Sequence, residues 1–89
     1  EIVPTEDGFT LMPNPTTGST QVLFELRKSS SVRLEVIDGL GRTVQRSDLG
    51  VRPAGEQRTT LDATALANGS YLVRITTNNG VRTARMVVQ

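Results

Sequence analysis

The sequence predicts an all-β sandwich of about seven short antiparallel strands. Three observations carry this expectation. Runs around Val22-Phe24-Leu26, Val32-Leu34-Val36, Tyr71-Val73-Ile75 and Ala84-Met86-Val88 alternate with residues that are mostly polar, the period of a half-buried strand. Gly or Pro punctuates nearly every interval between the runs. No stretch carries apolar residues at i, i+3, i+4 and i+7, the spacing an amphipathic helix needs.

The elements follow in order. Strand character begins at about Phe9 and is broken by Met12-Pro13-Asn14-Pro15-Thr16-Thr17-Gly18, because Pro13 and Pro15 have no amide to donate to a ladder. That segment reads as an edge or crossing loop, in its plainest form a rigid turn. A strand then starts at Ser19, and another spans 32–37. Asp38-Gly39-Leu40-Gly41 makes a short turn into a polar strand from Arg42 to about Asp48, whose composition suits an exposed edge. Val51-Arg52-Pro53-Ala54-Gly55 reads as a loop and 56–61 as the next strand. In the connection 61–69, Leu61 and Leu66 are expected to plug the base of the core, with Asp62 capping a single turn. Tyr71 follows Gly69 at the start of a strand, the place of a tyrosine corner, where the phenol bonds back to the preceding connection. Asn79-Gly80 predicts a type I′ hairpin joining the last two strands. This pattern favours an immunoglobulin-like sandwich over a barrel.

With 89 residues the chain has one core, here 9–89, and the acidic stretch 1–8 reads as linker from an upstream domain. With Glu1 in place of Met, the chain is expected to be a module of a longer protein. The aromatics are Phe9, Phe24 and Tyr71 alone, so the core is aliphatic. Cysteine and histidine are absent, which excludes disulfides, thiolate metal sites and Ser-His-Asp or Cys-His catalysis within these residues. Ten cations against nine acids give no electrostatic case for nucleic acid, and no apolar run approaches a membrane span.

Candidate chemistry is sparse. The carboxylates of Glu25, Glu35, Asp38, Asp48, Glu56 and Asp62 fall on outward strand positions or in turns, not in pairs facing one cleft, so the chain reads as non-enzymatic. No cofactor or metal is expected: Asp38 and Asp62 lack the dense acidic run of a calcium loop. Gly39-Leu40-Gly41 leads into strand, not helix, and so is no phosphate loop. Asn68-Gly69-Ser70 fits a glycosylation pattern, with Gly69 better read as a turn residue. Arg74, Arg82 and Arg85 on the final hairpin read either as solvated neighbours of a core strand or as a basic recognition surface.

Four motifs in order resemble one family. Pro13-Asn14-Pro15-Thr16-Thr17-Gly18, then Asp38-Gly39-Leu40-Gly41-Arg42-Thr43-Val44, then Leu61-Asp62 with Leu66-Ala67-Asn68-Gly69-Ser70-Tyr71, then a closing basic–aliphatic strand look like the C-terminal sorting domain of type IX (Por) secretion substrates. The likeness spans residues 9–89. It implies an immunoglobulin-like sandwich that addresses an attached N-terminal cargo from the periplasm to the surface of a Bacteroidetes-type Gram-negative bacterium. It also implies translocon or shuttle proteins as partners and a sortase-like protease that cuts before Phe9. Carried over by position, recognition falls to Gly80, Arg82, Arg85, Met86, Val87 and Val88, with Pro13, Asn14, Pro15, Gly18, Gly41, Arg42, Leu61, Asp62, Gly69 and Tyr71 shaping the domain. The family's usual lysine is replaced near its position by Arg85, and its final lysine by Gln89; arginine keeps the charge but not the compact ammonium. The rival reading is an accessory module that binds carbohydrate or braces a neighbour through an outer patch of Leu23, Leu72 and Val87, or dimerises weakly through an edge strand.

Overall fold

The computed structural model describes residues 9–89, so the linker expected at 1–8 lies outside the described residues. Among the described residues seven strands form two antiparallel sheets packed as a sandwich, and none is helical. Strands β1 (Thr10–Met12), β2 (Ser19–Leu26) and β5 (Gly55–Asp62) make one sheet in the order β1-β2-β5. Strands β3 (Ser30–Ile37), β4 (Thr43–Arg52), β6 (Gly69–Thr77) and β7 (Gly80–Val88) make the other, in the order β4-β3-β6-β7.

Alternation places the core. Val22, Phe24 and Leu26 of β2 face Val32, Leu34 and Val36 of β3, Val73 and Ile75 of β6, and Met86 and Val88 of β7, all buried. Val22, Val73, Ile75 and Met86 are wholly excluded from solvent. Leu61 is buried and Leu66 packs against the core, closing its base as expected. Tyr71 Oη donates to Ala67 O at 2.6 Å, which makes the tyrosine corner. The 63–66 connection is a turn, not a helical turn, with Leu66 N donating to Ala63 O at 3.1 Å. Asp62 caps it by accepting from Thr64 N at 2.9 Å and Thr64 Oγ1 at 2.6 Å.

Three expectations are corrected. β4 continues through Val51 and Arg52, leaving only Pro53 and Ala54 between it and β5. A bulge hides this from the alternation: Val32 pairs with Gly50 and Arg33 with Asp48, so Leu49 is extra and packs against the core. The final hairpin turns at Asn78-Asn79, because Thr77 pairs with Gly80. It is not type I′: among the described residues only glycines have positive φ, and Gly80 takes it at +132°. Space around a Cβ there is open, but the φ is one that L side chains rarely adopt, a strain glycine avoids. Finally, Leu23 lies on the outer face of the three-stranded sheet, while Leu72 and Val87 lie on that of the other. Leu23 therefore cannot share one patch with them.

Candidate functional site

β7 is an edge strand whose two faces do different work. Its even-numbered side chains point inward: Met86 and Val88 are core, and Arg82 reaches across to the other sheet, donating from Nη1 to Glu25 O at 2.8 Å. Its odd-numbered side chains face out. Arg85 is exposed and donates from Nη2 to Ser70 Oγ at 3.2 Å, and Val87 is half-buried. Of the six positions carried over for recognition, Gly80 and Arg85 are exposed and Arg82 and Val87 partly so. Met86 and Val88 are buried in the core.

The free side of β7 is occupied by the proline segment. Asn14 Nδ2 donates to Arg85 O at 2.8 Å, and Val87 N donates to Asn14 Oδ1 at 3.0 Å. One carboxamide thus takes both bonds that a neighbouring strand's peptide would make. Thr16 continues the pairing through its main chain: Thr16 N donates to Val87 O and Gln89 N donates to Thr16 O, both at 2.9 Å. Pro13 and Pro15 flank this contact, each through a cis peptide bond, and have no amide to leave unsatisfied. The segment is tied down in turn. Thr20 Oγ1 donates to Pro13 O at 2.7 Å, and the buried Thr16 Oγ1 donates to Ser19 O at 3.0 Å. Gly18 O accepts from Ala63 N at 3.0 Å, which joins the segment to the β5–β6 turn.

The other motif residues serve local structure. Asp38 Oδ1 accepts from Leu40 N and Arg42 N, and its Oδ2 from Arg42 Nε, all at 2.9 Å. Gly41, with φ +86°, closes that turn. These donors, the Arg42 amide foremost, hold the Asp38 carboxyl below the usual carboxylate range. The Thr64 hydroxyl, then its amide, does the same for Asp62. Gly69 opens β6 beside the tyrosine corner. Both turn carboxylates are thus committed to their own loops.

Sequence reasoning missed the clamp on β7, since Asn14 and Arg85 are 71 positions apart. It also missed Thr16 and Thr20, whose burial in a polar stretch is visible only once β7 is placed beside them.

The four motifs resemble one family, and the comparison with known families agrees. Residues 10–89 match the model of the secretion system C-terminal sorting domain. The chain belongs to this family. No curated protein matches the chain closely enough to count as a relative. The sorting domain is a type IX secretion signal, not a catalyst. It works attached to a cargo, together with the type IX machinery, and directs export to the cell surface or extracellular space.

Proposed function

We propose that the secretion machinery reads this sorting domain through the outward side of β7, and that the domain follows its cargo from the periplasm to the surface of a Gram-negative cell. The observation that carries this reading is the clamp. Asn14 and Thr16 fix the main chain of 85–89, so Arg85 and Val87 are presented on a rigid platform. Preorganised side chains lose little entropy when a partner binds. The translocon or its shuttle proteins are the readers, and a sortase-like protease cuts in the stretch before Phe9, upstream of the folded domain. Tyr71 is a poor sugar-stacking platform, because its ring packs against the core and is held in the corner by the bond to Ala67 O.

The test is a reporter fusion in a type IX-competent host. The intact chain is fused behind a periplasmic reporter, and surface fraction is compared with the reporter alone. A second fusion replaces 1–8 with a Gly/Ser spacer. The expected result is surface display of the first fusion, and slower release of its reporter from the domain in the second. A reporter that stays periplasmic behind the intact chain refutes the proposal.

A further inference from the structure

The near-neutral charge of the whole chain conceals a segregation. Residues 9–89 carry ten cations and six carboxylates. Much of this charge is neutralised in place: Arg33 by Asp48 at 3.1 Å, Arg42 by Asp38 at 2.9 Å and Arg74 by Glu35 at 3.0 Å. One end of the sandwich is different. There the β2–β3 turn and the β6–β7 hairpin enclose a cleft of about 400 Å³, with Arg27 and Lys28 on one wall and Arg82 on the other. Thr77, Asn79, Gly80 and Val81 complete the lining among the described residues, none of which contributes a carboxylate to it. Arg82 is held in position by its single bond to Glu25 O, which leaves its remaining N–H groups uncommitted among the described residues. Lys28 has no ion-pair partner there.

The cleft adjoins the part of β7 that the clamp does not reach. Arg85, Val87 and Gln89 use their outward backbone groups on Asn14 and Thr16. By strand alternation Val81 and Thr83 turn theirs the same way, and neither meets the Pro-Asn-Pro segment. An extended chain laid along 81–83 would find main-chain partners there and cations on both sides of the adjoining cleft. Guanidinium and ammonium groups together favour carboxylates, which Arg binds in a planar fork and Lys as a point charge.

We infer that this end of the domain, with Lys28 and Arg82 as its charged contacts, docks an extended acidic polypeptide segment of the secretion machinery. The inference rests on the reading of β7 as the recognised strand and adds the chemistry of the partner. The cleft is open and two-walled, which suits a passing chain better than a small enclosed anion. The interaction is electrostatic in its approach, so it weakens as salt rises.

The test uses the full isotopically labelled chain and a hexaglutamate peptide as probe, read by amide chemical shifts at low and high salt. The expected shifts concentrate at Lys28 and at Val81, Arg82 and Thr83. Lys28→Gln and Arg82→Gln should each weaken binding severalfold and together about tenfold, while Arg46→Gln on β4 leaves it unchanged. The Lys28 variant keeps the test valid should loss of the Glu25 contact disturb the fold. Shifts spread evenly over all arginines overturn the inference. So does inorganic phosphate binding at the cleft where the peptide does not, which marks a small-anion site. Peptide binding that appears only after Glu6→Gln and Asp7→Asn also overturns it, because the chain's own acids would then fill the cleft. In the reporter assay, full display by Lys28→Gln/Arg82→Gln defeats this inference alone, whereas no display by the intact chain defeats the reading beneath it.

Discussion

The sandwich has two open sides, and they are finished differently. On one, β7 is covered by the side chain of Asn14 and the main chain of Thr16. On the other, β4 and β5 stand apart, and a cleft of about 430 Å³ between them is floored by Leu34, Val36 and Leu61. Among the described residues two side chains bridge the strands in hydrogen bonds: Gln45 Nε2 donates to Asp62 O at 2.9 Å, and Arg52 Nη1 donates more weakly to Gln57 Oε1 at 3.4 Å. β4 protects itself by irregularity and charge: two register shifts against β3, and Arg46 and Asp48 on its length. One edge is clamped over residues 85–89 by a dedicated segment, and the other is left polar and bent. The difference suits a domain that presents one strand while keeping stray chains off the other.

Six substitutions would break or sharpen this contrast. The largest effect belongs to Met86→Ala, which removes a wholly buried anchor of β7. It should cost about 2–5 kcal/mol in urea unfolding, and it explains why deletion of residues 86–89 is a poor probe of recognition. Next, Asn14→Ala strips both side-chain bonds from the β7 edge and should cost about 1–3 kcal/mol. Gln45→Ala at the opposite side should cost about 1 kcal/mol or less. Equal losses from the two would erase the distinction between the edges. Tyr71→Phe removes only the bond to Ala67 O and should cost about 1 kcal/mol, with β7 amide exchange unaltered. The smallest effect is acid sensitivity. Asp38 and Asp62 have lowered folded pKa values, so what they contribute is fully present above about pH 4, their unfolded range. It is lost as pH falls through the lower folded values. Unfolding of Asp38→Asn and Asp62→Asn, followed from pH 5 to pH 2, should show a shallower decline than the parent.

Much of this was legible in the residues. Period-two alternation marks the core faces of β2, β3, β6 and β7, because each has one buried side. It fails at β4, where the Leu49 bulge inserts a residue and shifts the phase. Tyr71 and Asp62 act locally, so their roles could be read from a few neighbouring positions. The contact of Asn14 with β7 could not, since nothing near Asn14 in sequence names a partner at Arg85 and Val87. The motif gave the segment its stiffness, and only tertiary pairing gives it a purpose. Likewise, the basic character of the final hairpin was visible, but not that Arg82 turns inward while Arg85 faces out.

The most direct test of the account sets matched charge reversals on the two edges in the reporter fusion: Arg85→Glu on β7 and Arg46→Glu on β4. Both side chains are exposed on the outer face of the same sheet, and each variant is first checked for an unchanged unfolding midpoint. The account predicts that Arg85→Glu strongly lowers the surface fraction while Arg46→Glu stays near the parent. Equal display by both, or loss only with Arg46→Glu, would contradict it.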